Sequence, residues 1–551
     1  MRGDGLHPNK IPSGLINRER IENPRLPHRS TLFPVLFNPR AAFLLESFSQ
    51  SISKSKFPPL DQNPRIMKIA IVGSGISGLS AAWLLAEHSP HQVTLYEKND
   101  YLGGHTHTID YTSPTGDKSR TVPVDTGFIV FNSLTYPNLI RFFKLKNVDF
   151  MDSEMSFSVS RDSGRFEWAG TNLATVFAQL SNLFRPGHWR MVYDILKFNH
   201  CAPLILTLPE GHPDREISLG AFLERGGYSQ EFKDDYLLPM TAAIWSTPPD
   251  KCAMDFPAYT LIRFMHNHCL MQVANRPQWY TVRNGSRSYI SKMIEKVDDI
   301  RLSTPVTCIR RQKGKVVVQD AKGGSDEYDQ VVFASHADET LSMLGEDATK
   351  EERAVLGGIR FSKNVAVVHC DKKYMPTRRL AWTSWNYLTR STTTSKNVGQ
   401  VSLTYWMNNL QRYIPHDIEI FVTLNPLSPP EPALTFASFE YTHPEYTPVL
   451  IKAQNELHTI QGKNLAWFAG AWTCYGFHED GFISGMRIAE AMGAKLPFDL
   501  IDNKEIRATR EGMGGVMGDL ARAFFWMGDR VSALLVMVLA LITSVTLCFK
   551  P

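Results

Sequence analysis

The chain has no CxxC pair, and its cysteines are few and scattered. The seven fall at 201, 252, 269, 308, 370, 474 and 548. An odd count at irregular spacing excludes a disulfide framework and gives no zinc-ligand pattern, so a reducing compartment suits the chain. His105 and His107 alternate as metal ligands do, but no carboxylate or cysteine constellation accompanies them, and no metal is expected. Charge of one sign is also in short supply. The net charge is +4 over 551 residues, and no basic helix or aromatic–basic interleaving is present, which argues against a nucleic-acid partner. What remains is ordinary globular composition, 43% hydrophobic and 21% charged, in a chain long enough for two or more structural units.

The two ends differ from the middle. Residues 1–66 are rich in Pro, Arg, Ser and Asn and carry no sustained periodicity. Three readings stand: a disordered tail, a non-native extension before a true start at Met67, or a transit peptide. The last is weakened by Glu19, Glu22 and Glu46. At the other end, Val531–Phe549 is an uncharged run that follows a Gly- and charge-rich linker (499–530). As a helix it would span about 28 Å, close to the roughly 30 Å hydrocarbon thickness of a bilayer. With no polar face, it reads as a transmembrane tail anchor on an intracellular membrane, the globular part facing the cytosol. A buried C-terminal helix is the rival.

The informative stretch is Ile69–His88, IAIVGSGISGLSAAWLLAEH. A short apolar strand runs into Gly73, Gly75 and Gly78, and a helix is predicted over 76–87. Gly73 permits a tight turn, Gly75 lets a pyrophosphate reach the backbone, and Gly78 lets helix and strand pack closely. The phosphates then meet the N–H groups at the helix start, Ile76 and Ser77 among them. A second strand, Gln92–Tyr96, ends at Glu97, where the ribose-binding acid of a dinucleotide unit belongs. The cradle alone does not choose between FAD and NAD.

The following residues, Glu97-Lys-Asn-Asp-Tyr-Leu-Gly103-Gly104-His105, resemble the Glu-x(5)-Gly-Gly-Arg signature of flavin amine oxidases, with His105 in place of Arg. Further blocks match in order: VPVDTGFIVFN (122–132), STPVTCIRRQKGKVVVQD (303–320), YDQVVFASHADETL (328–341) and NLAWFAGAWTCYGFHEDGFISGMRIAEAM (464–492). From about Met67 to Met492 the chain resembles the FAD-dependent amine oxidase superfamily. It is closest to a branch of predicted NAD/FAD-binding proteins, found in plants fused to cyclopropane-fatty-acid synthase.

The resemblance implies FAD as cofactor, held by Gly73, Gly75, Ile76, Ser77, Gly78, Glu97, Lys98, Gly103, Gly104, His105, Val306 (adenine, through its backbone) and Gly470. It also implies a helix near Asp480 whose N-terminus faces the flavin. The superfamily's acid after Phe-Ala-Gly is here Trp472, and Glu479 or Asp480 is a candidate replacement. Tyr475 and His478, beside that helix, are candidate catalytic residues, His478 as a base or shuttle titrating near neutrality. Lys363 matches the superfamily's water-holding lysine by rough position only, and Cys474 reads as a packed thiol. The aromatics Trp382, Trp385, Tyr387, Tyr405, Trp406 and Tyr413 either line a cavity or form core.

The expected architecture is α/β. A discontinuous Rossmann-like FAD domain (67–146, 284–356, 463–498) carries an inserted α+β substrate domain (147–283, 357–462). The expected function is FAD-dependent oxidation of a lipid or other apolar substrate. Amine oxidation and a non-catalytic flavin-bearing partner protein are the alternatives.

Overall fold

The computed structural model describes residues 66–245, 254, 256–272, 276–391, 398–501 and 520–530. The N-terminal extension and the 531–549 run lie outside the described residues. Among the described residues no helix is long and apolar enough to cross a membrane.

β1 (Lys68–Val72) is the centre of a five-stranded parallel sheet. On one side it pairs with β2 (Gln92–Tyr96) and then Asp299–Arg301, on the other with Gln330–Phe333 and then Ala466–Phe468. A strand buried on both faces needs a continuous apolar run rather than alternation, and Ile69–Val72 supplies one. α1 (Ile76–His88) connects β1 to β2 and lies on one face with the helix His478–Ala491, its buried face running from Ile76 to Leu85. The opposite face is covered by the antiparallel meander Val306–Gln312, Lys315–Asp320 and Ser325–Tyr328. The first two of these are the paired strands expected over 303–320.

A second, seven-stranded sheet is mixed. Its order is Thr435–Pro444, Phe361–His369, Phe421–Leu424, Val398–Trp406, Trp385–Ser391, Phe157–Arg161, Phe166–Ala169. Trp385–Ser391 pairs in parallel with Phe157–Arg161, so two stretches more than two hundred residues apart share one sheet. Against its Phe157–Ala169 edge pack the helices Pro186–Cys201 and Ala258–Asn267. The aromatic cluster divides here. Tyr387 and Tyr405 are core, and the Arg379 guanidinium stacks at 3.8 Å on Trp382 and at 4.6 Å on Trp406.

Candidate functional site

The turn after β1 is built as its glycines require. Gly73 has φ +103°, and a Cβ there would lie 2.9 Å from the Ala334 carbonyl oxygen. A Cβ on Gly78 would lie 1.9 Å from the Gly73 carbonyl oxygen. Gly75 is different: a Cβ there meets nothing within 4 Å, so it would project into the space ahead of α1. That helix start has no side-chain cap and no acid in its first turn, which leaves its N–H groups and the positive end of its dipole to an anion.

Glu97 is buried at the end of β2. Its Oε2 accepts from the Ser74 N–H (2.9 Å) and hydroxyl (2.6 Å), and its Oε1 from the Asn99 N–H (2.9 Å). The carboxylate therefore braces the glycine turn. The second glycine pair lies directly on that turn: the Gly103 N–H donates to the Ser74 carbonyl at 3.0 Å, and a Cβ on Gly104 would come 3.2 Å from Gly75 Cα. The Thr304 N–H donates to the Glu97 carbonyl at 2.8 Å, which brings the start of the Val306 strand alongside. Lys98 points elsewhere, pairing with Glu339 at 2.6 Å on the surface.

The helix His478–Ala491 crosses α1 near the N-terminal ends of both. A Cβ on Gly481 would lie 2.6 Å from Ile76 Cγ2, and one on Gly485 would lie 2.0 Å from the Ser77 carbonyl oxygen. The Ser80 hydroxyl is shared between the Ser77 (3.1 Å) and Phe482 (2.9 Å) carbonyls. The Ile76 side chain thus faces the crossing, and what Ile76 and Ser77 offer the cradle is backbone. The crossing sets two helix starts side by side.

The two acids expected at the flavin do other work. Glu479 is buried, and its Oε1 accepts from the Asn138 backbone and side-chain N–H groups (both 2.8 Å), its Oε2 from the Leu139 N–H (3.0 Å). It caps α2 (Pro137–Leu145), and burial pushes its pKa up to about 7. Asp480 accepts from the Phe477 N–H at 3.0 Å and caps its own helix. Trp472, which holds the position of the superfamily's acid, is buried against Gly470, where a Cβ would meet its Nε1 at 2.3 Å.

His478 also departs from expectation. It is buried, stacked on Phe128 at 3.7 Å between ring centres, with Nε2 2.5 Å from the Tyr289 hydroxyl. Burial pushes its pKa down to about 3, so it is a neutral ring and not a group titrating near neutrality. The consequence for stability has a definite sign. A histidine depressed in the fold stabilises above its unfolded value near 6.5, and that contribution is lost as pH falls from 6.5 toward 3. Relative to wild type, apo His478→Phe should gain about 1.4 kcal/mol per pH unit below 6.5, read by urea melts near pH 7.5 and pH 5. An unchanged difference between the two pH values would show that His478 is not held neutral.

Tyr475 turns the other way, toward the end of the helix Ala258–Asn267, 5.7 Å from the Phe264 ring and 5.8 Å from His268. Lys363 is exposed on the second sheet, paired with Glu440 at 2.9 Å. Cys474 is half-buried, and its carbonyl accepts from the Tyr446 hydroxyl at 3.0 Å. Among the described residues no group of three His, Cys, Asp or Glu side chains could hold a metal ion.

Two features escaped sequence reasoning. Asp125 is fully buried and accepts from Thr108 Oγ1 (2.5 Å), the Ser286 N–H (2.9 Å) and hydroxyl (2.7 Å), and Gln411 Nε2 (2.6 Å). Burial lifts its pKa to about 6. The only signal for it was an acid inside the apolar run VPVDTGF. The second is a set of neutral histidines. His105 lies 5.1 Å from His443 between ring centres, and burial together with His443, His336 and His478 drives it well below the usual range. It therefore does not replace the charge of the arginine in the superfamily signature. Its Nε2, like Trp472 Nε1, is buried and has no partner among the described residues.

The cradle fits FAD on these observations: an uncapped helix start, an open position at Gly75, and two orphaned buried ring nitrogens beside the second glycine pair and Gly470.

The comparisons agree. The model of the family described as flavin containing amine oxidoreductase matches residues 76–384. The chain is similar to 4,4'-diapophytoene desaturase (4,4'-diaponeurosporene-forming) of Staphylococcus aureus, 39% identical over 56 residues. That match covers 10% of this chain and 11% of that protein. It is similar also to 1-hydroxycarotenoid 3,4-desaturase of a Flavobacterium species, 44% identical over 59 residues, 10% of this chain and 12% of that one. These matches span about a tenth of the curated relatives. In fold, the chain is similar to a CLA-producing fatty acid isomerase from P. acnes, at TM-score 0.56 and 15% identity, covering 78% of this chain and 99% of that one. It is likewise similar to cyclohexylamine oxidase from Brevibacterium oxydans, at TM-score 0.52 and 16% identity, with the same coverage. With the model matching more than half its length, the chain belongs to the flavin containing amine oxidoreductase family, a family of FAD-dependent oxidoreductases.

Proposed function

We propose that the protein uses FAD to oxidise an apolar, lipid-like substrate. The observation that carries the reading is the want of charge where the cradle meets the crossing helix. His105 and His478 are held neutral by burial, Glu479 and Asp480 are occupied as caps, and Lys363 is on the surface. An apolar chain is not penalised by such surroundings, whereas an ammonium group would find no uncommitted carboxylate among these residues. The likeness to carotenoid desaturases supports the same chemical class over a short stretch.

FAD, when bound, supplies the two-electron acceptor. The chain's own residues do the rest. The start of α1 would hold the phosphates, and Glu97 keeps the glycine turn in shape. Phe128, Tyr289 and His478 form a packed wall that keeps water out. Residues 531–549 are proposed to tether this machinery to an intracellular membrane, within reach of such substrates.

The test is anaerobic bleaching of the purified yellow protein. Acyl lipids and polyenes are expected to bleach it, and primary, secondary and polyamines are not. Rapid bleaching by an amine, with peroxide formed on readmitting oxygen, would reverse the assignment. A flavin reducible by dithionite but by no metabolite extract would favour the non-catalytic alternative.

A further inference from the structure

We infer that this protein has a second contact with the bilayer, made by its folded part: a lipid-seating face formed by helix 520–530 together with the Leu180–Trp189 segment. The inference rests on the membrane reading of 531–549 for its setting, but on different residues for its evidence.

Helix 520–530 is docked on the helix Pro186–Cys201 through one side. Phe525 is buried, edge-on to Tyr193 at 5.3 Å between ring centres. Asp529 accepts from the Tyr193 hydroxyl at 3.2 Å and pairs with the buried Lys197 ammonium at 2.7 Å. Its other apolar residues stay outside. Leu520, Phe524 and Met527 recur at the i, i+4, i+7 spacing of a helical stripe, and all three are more than half exposed. Trp526 is also exposed, with the Arg530 guanidinium 5.1 Å above its ring.

The start of the supporting helix and the turn before it carry further exposed apolar residues. Trp189 lies one turn before Tyr193 on the supporting helix and donates Nε1–H to the Leu183 carbonyl at 3.0 Å. Leu180 and Phe184, shortly before it in the chain, are 73% and 86% exposed. Single exposed apolar residues need no explanation, but several large ones on a helix and at the start of the helix that supports it do.

Two observations select a bilayer as the occupant. First, Arg530 is followed in the sequence by the uncharged run Val531–Phe549, so this helix is the last described element before the segment proposed to enter the membrane. Second, the face has the chemistry of an interfacial helix: Phe, Leu and Met on the apolar side, tryptophans, and an arginine whose stem can lie along apolar surface with its charge at headgroup level.

The test reconstitutes the full-length flavin-loaded protein in vesicles of phosphatidylcholine and phosphatidylglycerol. A phosphatidylcholine with a diazirine on its acyl chain is included, and adducts are mapped by peptide mass spectrometry after irradiation. Adducts are expected on peptides containing Leu180–Trp189 and Phe524–Met527. Phe184→Glu combined with Phe524→Glu, at exposed positions that leave the core intact, should lower both about tenfold while sparing adducts on 531–549. Adducts confined to 531–549 overturn the seating face and leave the anchor standing. Adducts on the face without any on 531–549 sustain the face and refute the anchor. A dimer in solution that the same double substitution dissociates, without lipid adducts on these peptides, assigns the face to a second copy and overturns the inference.

Discussion

Gly75→Leu is expected to give a folded, colourless protein. Most substitutions in a glycine turn fail for a trivial reason, because the new side chain strikes the protein itself. Here the three glycines separate. At Gly78 the Cβ would sit 1.9 Å from a backbone oxygen, and at Gly73 the backbone is left-handed, so alanine at either should destabilise the fold. Gly75 lies at φ −61° and ψ 171°, open to any residue, and its Cβ meets no protein atom within 4 Å. The leucine side chain would instead fill the space in front of the α1 N–H groups, where a pyrophosphate has to approach. The expected loss of flavin affinity is at least about a hundredfold, equivalent to roughly 3 kcal/mol. The apo melting temperature should match that of wild-type apoprotein. Flavin content is read by absorbance after desalting, and the fold by circular dichroism. A yellow variant would place the cofactor elsewhere.

The second large effect is expected at Gly485, where the helix His478–Ala491 crosses α1. A Cβ there would lie 2.0 Å from the Ser77 carbonyl oxygen, 2.2 Å from Ser80 Oγ and 2.9 Å from the Ala81 nitrogen. Two of these three are backbone atoms of α1, so no rotamer change relieves the contact and the helices must part. Gly485→Ala should cost about 3 kcal/mol, the upper end of ordinary overpacking. It should also loosen flavin retention, because the crossing sets the start of α1 beside that of the partner helix. Gly170→Ala is the control: its Cβ would make only ordinary contacts, the nearest at 3.7 Å, and a change within about 0.5 kcal/mol is expected in denaturant melts. Equal stability of the two variants would show that the crossing does not depend on glycine.

Both effects arise at glycines, yet they differ in how far the sequence exposes them. Gly75 is readable because its role is local: strand, turn and helix start are contiguous, and each residue's duty follows from spacing. Gly485 follows Gly481 by one helical turn, and nothing near them in the chain says that it is α1 that lies across them. The same contrast holds for the acids. Glu97 was placed by its distance from the glycines, and it does sit on their turn, bracing Ser74. Glu479 was expected at the flavin, but its partners are Asn138 and Leu139, 341 and 340 residues away.

By itself, the sequence determined the elements whose cause lies within a few residues: the β1–turn–α1–β2 unit, the second glycine pair, the meander strands after Val306, and through their order the flavin family. Short-range sterics and hydrogen bonding govern such elements, and they leave periodic marks. The tertiary structure alone decided what the buried ionisable groups became. Whether a carboxylate caps a distant helix, as Glu479 does, or a histidine is held neutral, as His105 and His478 are, depends on desolvation and on partners brought together by folding. Those quantities are set by neighbours in space, for which the order of residues along the chain carries no local signal.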